Sequence, residues 1–360
     1  MRKLSEPMSF ELTDIFDTAI SEVRKEFSGT DKEFNEKING KLPELIQILG
    51  DTFKFALTRL YEDSILEELR AKEKKYIDNL FEDYKKGFDN LQIFIDLNKY
   101  CGKRILEEYE KKHQNSESKK YFLLFRIQSR GCQIATEIQT LLRYGYPDGA
   151  IARWRTLHEM SVIFLVLADQ PIELAEMYTD YEVIEKLKRA RDFEEQRDKL
   201  GWPPIEKDQL ERLTEFKNNV TIKYGKDFLR SYGWTLNLLP KGKRNFKELE
   251  KLVHLDYMRP FYSWSNDNVH SGASGLISRL GQIERGKTSY LGLAEPSFYG
   301  LADPAQFTTT SLYTITSRIL ELHDDLESQI INSLLDDINS VVKSEFFNAQ
   351  LRLKKMYYNE

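Results

Sequence analysis

Apolar residues recur three and four apart along most of the chain, and that spacing predicts helices almost throughout. Ile77, Phe81, Tyr84, Phe88, Leu91 and Ile95 form one such series in a stretch rich in Glu and Lys. It is the pattern of a coiled-coil-like seam or a long helical hairpin. Pro43 suits the first turn of a preceding helix, and Gly50 interrupts it. The polar run from His113 to Ser118 has no periodicity and reads as a loop. Beyond it, Tyr121, Phe125, Cys132, Ala135, Ile138 and Leu142 lie on one stripe, which Gly145-Tyr146-Pro147-Asp148-Gly149 ends. Proline cannot continue the helix, and Asp148 is placed to cap the next. That next helix is expected from about Gly149 to Asp169. Its run from Met160 to Ala168 is apolar except for Ser161, as in a helix buried on all sides. So short a link predicts an antiparallel pair.

Pro171 opens a further helix toward Leu200, which Gly201-Trp202-Pro203-Pro204 breaks. A helix near 206–218 precedes a loop-rich stretch holding Tyr232, Gly233, Trp234 and Pro240. Strand-like runs such as Val220-Thr221-Ile222 are too few to build a sheet. Residues 285–305 read as a long loop. Leu312, Ile315, Ile319, Leu322 and Leu326 then mark one long closing helix. The expected fold class is all-α: a multi-helix bundle with an N-terminal long helical hairpin or coiled-coil-like region. Three regions are expected: 1–113 helical and coiled-coil-like, 119–340 the bundle, and 343–360 a charged tail.

Composition narrows the functions. With 360 residues, 31% of them charged, and a net charge of -5, any nucleic-acid contact has to use a local basic patch. Cys101 and Cys132 have no short spacing, which excludes a zinc ribbon or disulfide framework and suits a reducing compartment. The first seven residues, Met1 to Pro7, are charged with no apolar core behind them, unlike a secretory signal. No apolar run approaches the ~20 residues of a membrane helix. A cytoplasmic protein without a membrane contact is expected. Glycine-rich phosphate loops, nucleophile elbows and zinc-protease helices are absent from the sequence, so neither a cofactor nor a metal is expected.

Two polar clusters could carry chemistry. In the first, Arg155, His158 and Glu159 stand at i, i+3 and i+4 and share a helix face, with Arg153 two residues before Arg155. One reading is an Arg155–Glu159 ion pair tying this helix to a neighbour, since a buried charge needs a partner. The other makes His158 a general acid or base, Arg153 and Arg155 anion holders, and Glu159 the group that orients the imidazole. That set suits metal-independent phosphodiester cleavage by the RNA's own 2′-hydroxyl. The second cluster runs from Tyr262 through Ser265, Asn266, Asp267 and His270, before a Gly-Ala-Ser-Gly break. It reads either as a helix end satisfying its own backbone, or as substrate contacts in which His270 faces Glu159 or His158. Lys241, Lys243 and Arg244 form a basic run that is either a solvated turn or a nucleic-acid-facing loop.

The segment Leu141 to Ala150, followed by Arg153-Trp154-Arg155-Thr156-Leu157-His158-Glu159, resembles a bacterial helical family, domain of unknown function 5677. Ser265 to His270 is similar to its serine-to-histidine signature. The likeness covers about residues 120–335. A looser resemblance is to the HEPN class of helical ribonuclease toxins, whose signature is arginine, four to six residues, then histidine; Arg153 and His158 match. That resemblance implies an RNA substrate, a homodimer, and a toxin or antiphage role. Five residues subtend roughly 140° on an ideal helix, so the two converge only if the helix start is distorted or a dimer partner contributes. The alternative is a non-enzymatic interaction or scaffold protein whose polar groups form a buried network.

Overall fold

The computed structural model describes residues 24–25, 27–40, 50, 54, 66–112, 118–270, 272–277, 279–281 and 295–358. Pro43, His113 and residues 285–294 of the expected loop lie outside them, and the end of that loop, from Ala302, is helical. The described residues are helical, with short 3-10 turns and no strand. No helix among them is long and apolar enough to cross a membrane. Contacts divide the chain into two units, Met1–Lys75 and Tyr76–Glu360.

The first unit contains α1, Asp31–Gly40. A reciprocal cap starts it. The Glu33 carboxylate accepts from the Thr30 N–H at 2.8 Å, and the Glu33 N–H donates to the Thr30 hydroxyl at 3.4 Å. The helix α2, Leu66–Asp83, leads into the second unit.

The second unit continues with α3 (Lys85–Lys112), α4 (Ser118–Arg143), α5 (Pro147–Asp169), α6 (Ile172–Asp180), α7 (Glu182–Leu200) and α8 (Lys207–Tyr224). Short helices α9 (Phe246–Leu252), α10 (Arg259–Val269) and α11 (Ala273–Ile277) follow. Two long ones close the chain, α12 (Ala302–His323) and α13 (Leu326–Tyr358). The bundle is built from α3, α4, α5, α12 and α13, each packed on its neighbours.

The seam around residues 77–95 is buried here, in the bundle itself rather than in a separate coiled coil. Tyr84, Phe88, Leu91 and Ile95 are buried, and Phe346 of α13 packs between Tyr84 and Phe88 at 5.7 and 5.2 Å. The helix before residue 113 therefore shares one core with those after it. The stretch after 343 is helical as far as Tyr358. Phe346, Ala349 and Leu353 are buried on the inner face of α13, and Arg352 donates to Asp83 O at 3.2 Å.

Between α4 and α5 the chain turns through Gly145 at φ 78°. Gly145 N–H donates to Leu142 O and Tyr146 N–H to Leu141 O, the paired bonds of a left-handed helix end. Asp148 does not cap α5. Its carboxylate accepts from the Leu280 N–H at 2.9 Å and lies 3.5 Å from Arg279. The strand-like run at 220 is the last turn of α8. The expected single closing helix is two, because Asp324 turns left-handed at φ 47°. Leu326, placed on the inner stripe by its spacing, consequently faces solvent.

Candidate functional site

Helix α5 is the centre of the bundle, with α4, α12, α9 and α10 around it. Its buried residues cover most of its circumference, and Ala152, Arg155, Glu159 and Ile163 form a part-buried side. Trp154 donates its indole N–H to Phe307 O and the Ser311 hydroxyl of α12, both at 3.0 Å. The polar face of α5 meets α9 and α10, and there a continuous network forms.

His158 is 1% exposed, and its Nε2 lies 2.9 Å from the Glu250 carboxylate, itself 0% exposed. The second oxygen of Glu250 accepts from the Arg259 guanidinium at 2.8 Å. Trp154, Phe246 and Tyr262 pack around the imidazole at 5.4–5.9 Å. A buried carboxylate persists only when both its oxygens are held, and Arg259 and His158 do this from opposite ends.

Beside it, the Tyr262 hydroxyl donates to Glu159 at 2.5 Å and accepts from Arg155 at 2.8 Å. Arg155 also pairs with Glu159 at 3.2 Å. The guanidinium carbons of Arg155 and Arg259 lie 4.8 and 5.1 Å from the Tyr262 ring. Burial, with the hydrogen bond to Glu159, pushes the Tyr262 phenol up to about 12. It stays protonated at neutral pH and keeps donating. Burial first, then the Glu159 charge, also raises the neighbouring Tyr232 phenol.

Arg155, His158 and Glu159 thus share a face, as their spacing predicts. The other expected residues do not join them. Arg153 points to α4, where its Nε pairs with Glu137. Undistorted helix geometry separates it from His158. His270 ends α10 and is exposed. It lies eight residues past Tyr262, or roughly 12 Å along a helix, so the partner of Glu159 is Tyr262 and that of His158 is Glu250. Ser265 is buried and donates to Tyr262 O at 2.7 Å. Asn266 accepts the His270 N–H through its backbone at 2.9 Å. The backbone of Asp267 lies so close to Gly275 that a Cβ there would stand 2.1 Å from its carbonyl oxygen. These three residues finish a helix. Arg244 turns inward to Leu239 O and Leu236 O at 3.1 and 3.4 Å. Lys241 stands 3.8 Å from Asp227, and Lys243 is exposed.

Glu250 and Arg259 were not singled out by their sequence context. One signal was present: Phe246, Leu249 and Val253 mark the inner stripe of α9 and its end, and Glu250 falls within it. A carboxylate in an apolar stripe demands a cationic partner.

Residues 121–287 match the sequence model of DUF5677, a family of unknown function. That match supports the family resemblance carried by Leu141–Glu159 and Ser265–His270. Arg155, His158, Glu159, Glu250, Arg259 and Tyr262 all fall within the DUF5677 segment, while α12 and α13 lie beyond it. No curated protein and no solved structure matches the chain.

Away from this network, Glu108, His323 and Asp325 bring ligand-type atoms within 4.8 Å of one another. Arg104 already lies 3.4 Å from Asp325, 3.7 Å from Glu108 and 3.0 Å from Glu327. That guanidinium supplies the positive charge the carboxylates need. The cysteines are buried, and burial raises both thiols, Cys101 to about 11 and Cys132 to about 12. Neither forms a ready thiolate.

Proposed function

We propose that the chain is a non-enzymatic helical interaction protein, and that its polar network fixes the register of α5 against α9 and α10. One observation carries this reading: His158 and Glu250 are sealed from solvent, each satisfied by a neighbour. A general acid or base has to reach the proton it transfers, and no substrate atom can approach that imidazole while the helices are packed. A polar chain with His158 and Glu250 at its buried end does suit register, because a slip separates Glu250 from both of its partners.

The test is purified protein incubated with total RNA, with and without chelator. The expected result is intact RNA. Metal-independent cleavage that disappears in His158→Gln, with the helical content unchanged, would sink the reading.

A second reading keeps the ribonuclease alternative, resting on a different observation. Arg155 and Arg259, 23% and 33% exposed, flank Tyr262 at the solvent edge of the network. Two guanidiniums so placed could fork onto a phosphate. On this reading RNA retention falls in Arg155→Ala, and retention equal to wild type would remove it.

A further inference from the structure

Among the described residues, helix α13 carries an apolar surface that is left exposed. Leu326, Ile330 (60% exposed), Leu334 and Val341 all point outward. At 100° per residue these four fall within about 80° of one another, a single stripe that the exposed Asp337 interrupts between Leu334 and Val341. Phe347 (55% exposed) and Leu351 extend it toward the C-terminal end. Ile93 and Tyr100 of α3 are also exposed, and the Tyr100 hydroxyl reaches Glu327 at 3.3 Å, so they flank the same face. Apolar residues scattered over a surface need no explanation, but a stripe of them marks a contact.

The charges of α13 point to what covers it. Residues 326–341 hold Glu327, Asp336 and Asp337 and no basic residue, a formal -3. Residues 342–358 hold Lys343, Arg352, Lys354 and Lys355 against Glu345, a formal +3. The halves are equal and opposite. A second α13 lying antiparallel on the first therefore sets each acidic half on a basic one, whereas a parallel copy sets like on like.

We infer that the chain forms a two-fold symmetric homodimer through α13, the two helices antiparallel and crossing near Val341. The symmetry is the isologous kind, in which one patch meets itself. In that arrangement Leu326, Ile330 and Leu334 of one copy lie over Phe347, Leu351 and Met356 of the other. Glu327, 3.0 Å from Arg104 of its own chain, then also faces the Lys354–Lys355 pair. A helix of 33 residues is about 50 Å long and about 10 Å wide, so the pair buries on the order of 1,000 Å² in total, the lower bound for a specific interface. Ile93 and Tyr100 add to it at the edges. The inference goes beyond the reading of the α5 network, and fails or stands independently of it.

Sedimentation of the full chain at micromolar concentration tests it. The expected species has twice the 42.4 kDa chain mass. Two surface variants then probe the orientation. Lys354→Glu with Lys355→Glu puts acid against Glu327, and Glu327→Lys puts base against Lys354 and Lys355. Each alone is expected to sediment as a monomer with unchanged circular dichroism. An equimolar mixture is expected to restore the dimer, because every α13 end then meets its opposite charge. Val341→Cys is expected to cross-link to its own copy under mild oxidation, the two native cysteines being buried. A monomeric wild type overturns the inference. So does a dimer that survives both charge reversals, or a mixture that stays monomeric.

Discussion

Helices α5 and α13 invert each other. Helix α5 lies in the middle of the bundle and carries polar groups into it, while α13 lies at the edge and holds apolar groups out of it. In α5 the polar side chains of this face meet groups supplied by other helices: Glu250 for His158, Tyr262 for Glu159 and Arg155. In α13 the exposed Leu and Ile side chains have no partner within the described chain. A buried polar group left alone costs several times what an exposed methyl group does. The first helix is therefore complete as the chain stands, and the second is complete only with something laid over it.

The largest expected effect comes from breaking the α5 network at its far end. Arg259→Ala leaves Glu250 fully buried with only a histidine beside it. Loss of one partner from a buried pair costs about 3–5 kcal/mol, read as a lower urea midpoint at unchanged slope. The triple change Glu250→Met, His158→Leu, Arg259→Met removes all three polar groups and is expected to lose far less. If the triple variant is as unstable as the single one, the cost lies in packing rather than in an unpaired charge. Ile330→Ser on α13 provides the contrast. Ile330 is 60% exposed, so the change is expected to shift monomer stability by less than about 0.5 kcal/mol.

The two helices also differ in how far the sequence reveals them. Periodicity and the Gly and Pro residues at 145–149 find most of the helices, the α4–α5 turn, the burial of most of α5 and the shared face of Arg155, His158 and Glu159, because these depend on residues within one or two turns. It does not find Glu250 or Arg259, which approach α5 from more than ninety positions on. It does not separate the directions of Arg153 and His158 into their actual partners, since Glu137 and Glu250 belong to different helices. Leu326 shows the same limit in reverse: its spacing continues the α12 stripe, and only the left-handed turn at Asp324 rotates it out. Spacing reports which side of a helix a residue occupies. What that side faces is decided by tertiary packing.

An intermediate effect is expected at the turn that sets α5 against α4. Gly145 has φ 78°, and a Cβ there would stand 2.9 Å from Ser297 O and 2.6 Å from the Tyr76 hydroxyl. Its own carbonyl accepts the Ser297 N–H at 2.8 Å. Gly145→Ala meets both a conformational cost of about 1 kcal/mol and backbone atoms with little room to yield. A destabilisation of about 1–3 kcal/mol in the same urea measurement is expected. A neutral outcome would show that the joint adapts and that the α5 network, not the turn, fixes the register.

The smallest effect belongs to the joint where α12 hands over to α13. The Ser328 side chain and backbone N–H, with the Arg104 guanidinium, hold the Asp325 carboxyl well below the usual carboxylate range. A folded-state value below the unfolded one means that the ionised form favours folding. The contribution is complete above the ordinary aspartate value of about 3.9 and fades as pH falls below it toward the folded value. Asp325 is more than a third exposed, so solvent weakens the pairing. In Asp325→Asn the acid limb of the stability-pH curve is expected to be shallower than in wild type, with little change at neutral pH. A curve superimposable on wild type below pH 4 would place the α12–α13 angle under the control of the apolar inner face of α13, where Leu335, Val342 and Phe346 are buried, rather than of this cap.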